Sequence, residues 1–215
     1  MRWNEGFTLT ELLVAIVISG IVMTSIYSAY YSQQKSFIAQ EQVVAMQQNL
    51  RAGMDLLERE IRMAGYDPAG TSDAGIAPGA DSAIINITED LDGDGLTSGS
   101  NEDITYSLYD SGSDGDTDLG RDIGGGNQLL AENIDALNFV YLDENGTPLA
   151  TPVATPGNIR SIQIAIVART GRRDPGYTNN KTYQNFQGTT IYTAPGDNFR
   201  RKLLMAEIQC RNLGF

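Results

Sequence analysis

The stretch Gly6-Phe7-Thr8-Leu9-Thr10-Glu11-Leu12-Leu13-Val14-Ala15-Ile16 leads into a run, residues 12–34, that carries no charge. From Leu12 to Met23 that run is interrupted only by Ser19 and Gly20. A bilayer-spanning helix needs about 20 mostly apolar residues, and residues 7–26 supply them if Glu11 and the scattered Thr and Ser are accommodated. A secretory signal would set several basic residues before its apolar core and a small-residue cleavage site behind it. Here the pattern runs straight on into a longer helix. Val43, Met46, Leu50, Met54, Leu57 and Ile61 recur at spacings of three and four, the apolar face of an amphipathic helix. Gly65 reads as its C-cap, and Tyr66-Asp67-Pro68 forbids further turns. A helix from about Thr8 to Ala64 would be roughly 85 Å long at 1.5 Å per residue, so its first half would extend beyond a compact head. A coiled-coil stalk fits less well, because Gly53 and the Gln/Ser-rich residues 32–48 break a sustained heptad.

Glu11 needs a partner, since a carboxylate inside a membrane helix costs about 2.5–3.5 kcal/mol even on lenient insertion scales. The residues around it resemble the class III prepilin signature of type IV pilin-like proteins. That resemblance implies peptidase cleavage between Gly6 and Phe7 and methylation of the new Phe7 amine. It also implies that Glu11 neutralises the amine of a neighbouring subunit during assembly. Two opposite charges that are each expensive alone in hydrocarbon become tolerable as a pair. The leader departs from the usual basic form, with Glu5 before Gly6 and only Arg2 and the amino terminus positive. The phrase Leu57-Glu58-Arg59-Glu60-Ile61-Arg62-Met63-Ala64-Gly65-Tyr66-Asp67-Pro68 is similar to the helix-to-head junction of PilW-like minor pilins, themselves similar to the J-type pseudopilins of type II secretion. Beyond residue 68 the resemblance is loose.

The resemblance implies an α+β, type IV pilin-like fold, a long N-terminal helix packed on an antiparallel β-sheet head. Residues 1–6 would be the leader, 7–30 the transmembrane and filament-core helix, 31–65 its amphipathic continuation and 66–215 the head. Alternation places strands at 82–88, 103–109, 136–142, 159–169 and 201–211, with Ile162, Ile164 and Ile166 facing one way. Asn145-Gly146 is a turn signal, Gly124-Gly125-Gly126 a hinge or turn, and 171–180 and 188–198 read as loops.

Composition narrows the chemistry. The chain of 215 residues holds 27 Asp+Glu against 15 Lys+Arg, a formal net charge of −12 that repels nucleic-acid backbones. It has no histidine and one cysteine, Cys210, so Ser-His-Asp triads, Cys-His dyads, Cys/His zinc sites and an intrachain disulfide are all excluded. Cys210 reads as a buried strand residue. The basic clusters Arg169, Arg172, Arg173 and Arg200, Arg201, Lys202 would meet acidic neighbours in an assembly or lie solvated.

Asp90-Leu91-Asp92-Gly93-Asp94-Gly95-Leu96 matches the first half of an EF-hand loop, making calcium the one cofactor the sequence suggests. Asp90, Asp92 and Asp94 would ligate through side chains and Leu96 through its carbonyl. Position twelve is Asn101, with Glu102 and Asp103 one and two residues late, and Glu102 is counted among the candidate metal residues. A second cluster, Asp110, Asp114, Asp116 and Asp118, is interleaved with Ser and Gly. The expected function is that of a minor pilin priming or capping a type IV pilus, and not an enzyme. Its partners would be the prepilin peptidase, other minor and major pilins and the inner membrane, with no nucleic acid bound by the body. It would span the inner membrane once before assembly and then sit in the pilus with its head in the periplasm or outside. The alternatives are a J-type pseudopilin at the tip of a secretion pseudopilus, a calcium-dependent adhesin head, and a tethered enzyme for which only carboxylates are available.

Overall fold

The computed structural model describes residues 6–113 and 115–213. The rest of the leader, with Arg2 and Glu5, and Asp114 lie outside them. Helix α1 runs over Leu9–Met63, and among the described residues nine strands follow: β1 Ile85–Thr88, β2 Asp103–Tyr109, β3 Asp118–Asp122, β4 Gln128–Ala131, β5 Ile134–Leu142, β6 Ser161–Arg169, β7 Thr182–Gln184, β8 Thr190–Thr193 and β9 Arg201–Gln209. The chain divides into two compact units, Met1–Gln42 and Val43–Phe215.

In the second unit the predicted helix stripe is the buried one. Met46, Leu50, Met54, Leu57 and Ile61 are all buried, and Val43 packs partly buried beside them. Gly53 is buried as well, and a Cβ there would stand 3.1 Å from the Ala131 Cβ of β4. The glycine therefore lets a strand approach the helix closely. The helix stops where expected: Gly65 has φ +80°, open to glycine at no steric cost, and Tyr66 N–H donates to Met63 O at 2.8 Å.

The expected single sheet is three antiparallel sheets, ordered β1-β2-β3-β4, β5-β6-β9 and β7-β8. Ile162, Ile164 and Ile166 of β6 share one core cluster with the helix stripe, with Ile85, Ile87, Ile104, Tyr106 and Leu119 of the first sheet, and with Phe139 and Tyr141 of β5. Val167, on the other face of β6, belongs to a second cluster with Ala136, Tyr183 and Ala194. The β7-β8 side of the molecule thus covers the back of β6, which is buried along eight of its nine residues. β8 falls inside the stretch read as a loop, and β3, β4 and β7 lie outside every predicted strand. These four are three to five residues long, too short to show a period. The triglycine lies in the turn between β3 and β4, where Asp122 Oδ1 accepts the N–H groups of Gly124 and Gly126. Asn145-Gly146 turns as predicted, with Gly146 at φ +73°.

Candidate functional site

Two regions carry the residues singled out by the sequence. At the N-terminus, Thr8 and Glu11 form a reciprocal cap on α1. Glu11 N–H donates to Thr8 Oγ1 at 3.3 Å, and the Glu11 carboxylate accepts the Thr8 N–H at 2.9 Å and the Thr8 hydroxyl at 2.8 Å. This is the Thr-x-x-Glu capping box, satisfying helix donors that would otherwise be orphaned. The spacing Thr8-Leu9-Thr10-Glu11 announces it, although the membrane context of the sequence points first to an intermolecular role for Glu11. Gly6 and Phe7 precede the helix, and Phe7 is 93% exposed. The apolar stretch that follows reaches a mean hydropathy of 2.2 over 18 residues with no part of that window buried, long and apolar enough to cross a membrane. Three of its hydroxyls are spent on its own backbone: Ser19, Thr24 and Ser25 donate to the carbonyls of Ala15, Gly20 and Ile21. No hydroxyl of these three is left to be satisfied by water, as hydrocarbon surroundings require.

The second region is the loop between β1 and β2. Asp90 and Glu102 are buried, at 0% and 3% exposure. Four loop amides converge on them: Gly93 and Gly95 donate to the two oxygens of Asp90, Leu91 and Gly99 to the two oxygens of Glu102. Asp92 joins this pair, one carboxylate oxygen from each residue lying within 4.8 Å of the others. Asp94 is not in that group; its Oδ1 accepts the Leu96 N–H at 2.8 Å. Leu96 is 59% exposed. Asn101, at loop position twelve, has a left-handed φ of 63°, and Glu102 after it is the carboxylate that turns inward. Each oxygen of Asp90 and Glu102 keeps a second lone pair after accepting its amide, so three hard-oxygen donors of the kind calcium selects are gathered. Of the second acidic cluster, Asp118 accepts from Ser111 and Asn133, and Asp116 pairs with Arg169 at 2.7 Å.

Next to the loop lies Glu89, 6% exposed, with an Oε2 that has no hydrogen-bond partner. Desolvation, reinforced by the Glu60 charge and opposed by Arg121, pushes its carboxyl up to about 6. Glu60 of α1 is itself held by Tyr106 of β2 and by Arg121 of β3, whose guanidinium lies 2.9 Å away. A folded pKa above the unfolded one means the stabilising form is the neutral acid: its contribution is complete below about pH 4.5 and is lost as pH rises through about 6. Glu89→Gln in chelator is therefore expected to stabilise the chain by up to about 2 kcal/mol at pH 7.5, at 1.36 kcal/mol per pKa unit, and by almost nothing at pH 4.5. Urea unfolding at the two pH values reads this directly, and an equal change at both would show that Glu89 is not the titrating group.

Three residues of the basic clusters serve the fold, while Arg172, Arg173 and Lys202 are exposed. Arg201, its side chain 2% exposed, binds Asp135 at 2.5 Å and Asp197 at 2.5 Å; Arg169 reaches Asp116 and Asp135, and Arg200 reaches Asp174. Cys210, one residue past β9, is buried, and desolvation pushes its thiol up to about 12, as suits a structural residue.

Two family models match the chain. That of the prokaryotic N-terminal methylation motif covers residues 4–27, and that of the type IV pilus-assembly protein W covers residues 99–212, more than half of the sequence. A search of curated proteins finds no match. Among solved structures the chain is similar to a type IV-like pilin, TTHA1219 from Thermus thermophilus, at 18% identity and a TM-score of 0.45, covering 78% of this chain and 97% of that one.

Proposed function

Because this chain belongs to the type IV pilus-assembly protein W family, we propose that it is a minor pilin that primes or caps a type IV pilus. The observation that carries the reading is the N-terminal signature: a methylation-motif match over residues 4–27 on an unburied apolar helix with a single carboxylate in its first turn. In this reading the peptidase removes residues 1–6, Phe7 is methylated, and residues 7–30 hold the subunit in the inner membrane and then in the filament core. Glu11, which caps its own helix through Thr8, offers its remaining lone pairs to the amine of a neighbour. A pairing of two charges in hydrocarbon favours an ordered array over dispersed subunits. Glu11→Gln is expected to leave membrane insertion and cleavage intact and to lower incorporation into sheared filaments. Incorporation at the level of the unaltered chain would remove Glu11 from the assembly mechanism.

A second reading, compatible with the first, is that the head binds calcium at Asp90, Asp92 and Glu102, with Asp94 and the Leu96 carbonyl at the margin of the loop. It is favoured by the convergence of the three carboxylates. A site of this kind is expected to stabilise the folded chain by about 1.4 kcal/mol at ten times its Kd, following RT ln(1 + [L]/Kd), and Asp90→Asn should abolish that gain. Thermal unfolding with calcium and with chelator makes the test; identical midpoints at millimolar calcium would dismiss the site.

A further inference from the structure

Two sheets of the head end in four strand edges, and three of them are closed or short. The outer side of β1 is closed by a neighbouring segment: Thr88 N–H donates to Gly75 O at 2.7 Å, Gly75 N–H returns to Thr88 O at 3.1 Å, and Ala77 N–H donates to Asn86 O. The outer side of β5 is met by Ser82 O, which accepts from Phe139, and by Leu149 N–H, which donates to Tyr141 O. β4 is four residues long. β9 is nine residues long, and its register with β6 is continuous from Arg201 to Gln209 without a bulge.

The direction of its backbone groups follows from the ends of that ladder. Thr170 N–H donates to Arg200 O, and Cys210 N–H donates to Arg160 O, so even-numbered residues face β6. By the alternation of an antiparallel pair, Leu203, Met205, Glu207 and Gln209 turn their N–H and C=O groups away from β6. Among the described residues no backbone group bonds to that side of β9. Natural edges are blunted by proline, bulges, short length, charged side chains along the edge or inward charges, and of these β9 has only charges toward its two ends, Lys202 and Glu207. The sequence Arg201-Lys202-Leu203-Leu204-Met205-Ala206-Glu207-Ile208-Gln209 has no proline and no bulge, and Arg201 is already committed to Asp135 and Asp197. Lys202 and Glu207 are exposed at opposite ends, with Met205 exposed between them.

We propose that β9 is an assembly edge, which takes an extended strand from a different pilin-type subunit by β-augmentation. The inference rests on the filament-subunit reading above. Among protein partners a strand backbone matches a row of backbone donors and acceptors spaced along a strand, and the side chains define the rest: an apolar residue near Met205, an acid toward Lys202 and a base toward Glu207, whose carboxylate also accepts the Gln163 side-chain amide at 2.8 Å. A second copy of this chain does not meet that pattern. Antiparallel self-pairing must match odd positions with odd, so Lys202 never stands opposite Glu207, and two chains of net charge −12 repel.

The test uses the full chain in the cells that build the filament. Met205→Pro deletes an outward N–H and leaves every β6-facing donor in place. It is expected to keep protein abundance and to lower incorporation into sheared filaments roughly two- to tenfold, the range for one backbone hydrogen bond. Independently of how that variant folds, a photo-crosslinking phenylalanine at Met205 is expected to join a different pilin-type subunit through a strand bearing the stated charges. No adduct in filaments that contain the chain, or an adduct with another copy of it, overturns the proposal. Glu11→Gln run in parallel separates the two ideas: if it blocks incorporation while both changes at Met205 are without effect, the strand edge alone is wrong. If the unaltered chain itself is absent from sheared filaments, the filament-subunit reading fails first.

Discussion

Replacing Arg201 with methionine is expected to destabilise the folded chain by about 3–5 kcal/mol, the cost of breaking a buried ion pair by removing one partner. The side chain is 2% exposed and joins three parts of the head: Asp135 of β5, Asp197 before β9, and the Tyr192 hydroxyl of β8 at 3.1 Å. Despite the burial that opposes it, these bonds hold the guanidinium firmly charged. Methionine fills much of the volume, so the loss would come from Asp135, 13% exposed, left without its closest cation. Asp135→Asn in the Arg201→Met background should recover part of it. Urea unfolding of the detergent-solubilised chain checks both; a loss below about 1 kcal/mol would mean the pair is solvated in the manner of a surface bridge.

Leu57→Ala is the second large effect, expected at about 2–5 kcal/mol. Leu57 is fully buried in the cluster that joins α1 to both large sheets. Removing its three outer carbons forfeits transfer free energy and leaves a cavity that a core packed from three elements fills poorly. Leu56, one residue round the helix and only half-buried, provides the comparison; Leu56→Ala should cost clearly less. Equal costs would mean that the stripe of threes and fours does not mark the packed face. Since whole domains are stable by only about 5–15 kcal/mol, either Arg201→Met or Leu57→Ala should also lower the amount of chain available for assembly.

The helix was legible because apolar residues spaced by threes and fours over residues 43–61 fall on one face of a helix and on both faces of a strand. Its end was legible because glycine alone enters the left-handed region without penalty. The long strands β2, β5, β6 and β9 showed themselves in the same way at period two. What escaped is non-local. The back of β6 is buried by residues 182–194, so Val167 and Ala165 look like ordinary strand positions until their cover is seen. Gly53 reads as a break in a heptad and is a point of close approach to Ala131, a contact 78 positions away in the chain. Arg169, Arg200 and Arg201 read as a surface cluster because the aspartates that pair with them are distributed from Asp116 to Asp197. The acidic loop was half legible: the spacing found Asp90 and Asp92, and Glu102 is gathered with them, but the alternation of aspartates could not tell that Asp94 closes a local turn. The family resemblance lies in the first 68 residues, whereas the W-type family model matches residues 99–212. Strand alternation of the kind seen there is shared by many folds and names none of them.

Intact-mass analysis of the chain from cells with and without the prepilin peptidase bears most directly on the proposed role. The account predicts a mature protein that begins at N-methylated Phe7 when the peptidase is present and the full-length precursor when it is absent. A chain that keeps residues 1–6 in both strains would contradict it, and would leave the N-terminal helix as a plain membrane anchor.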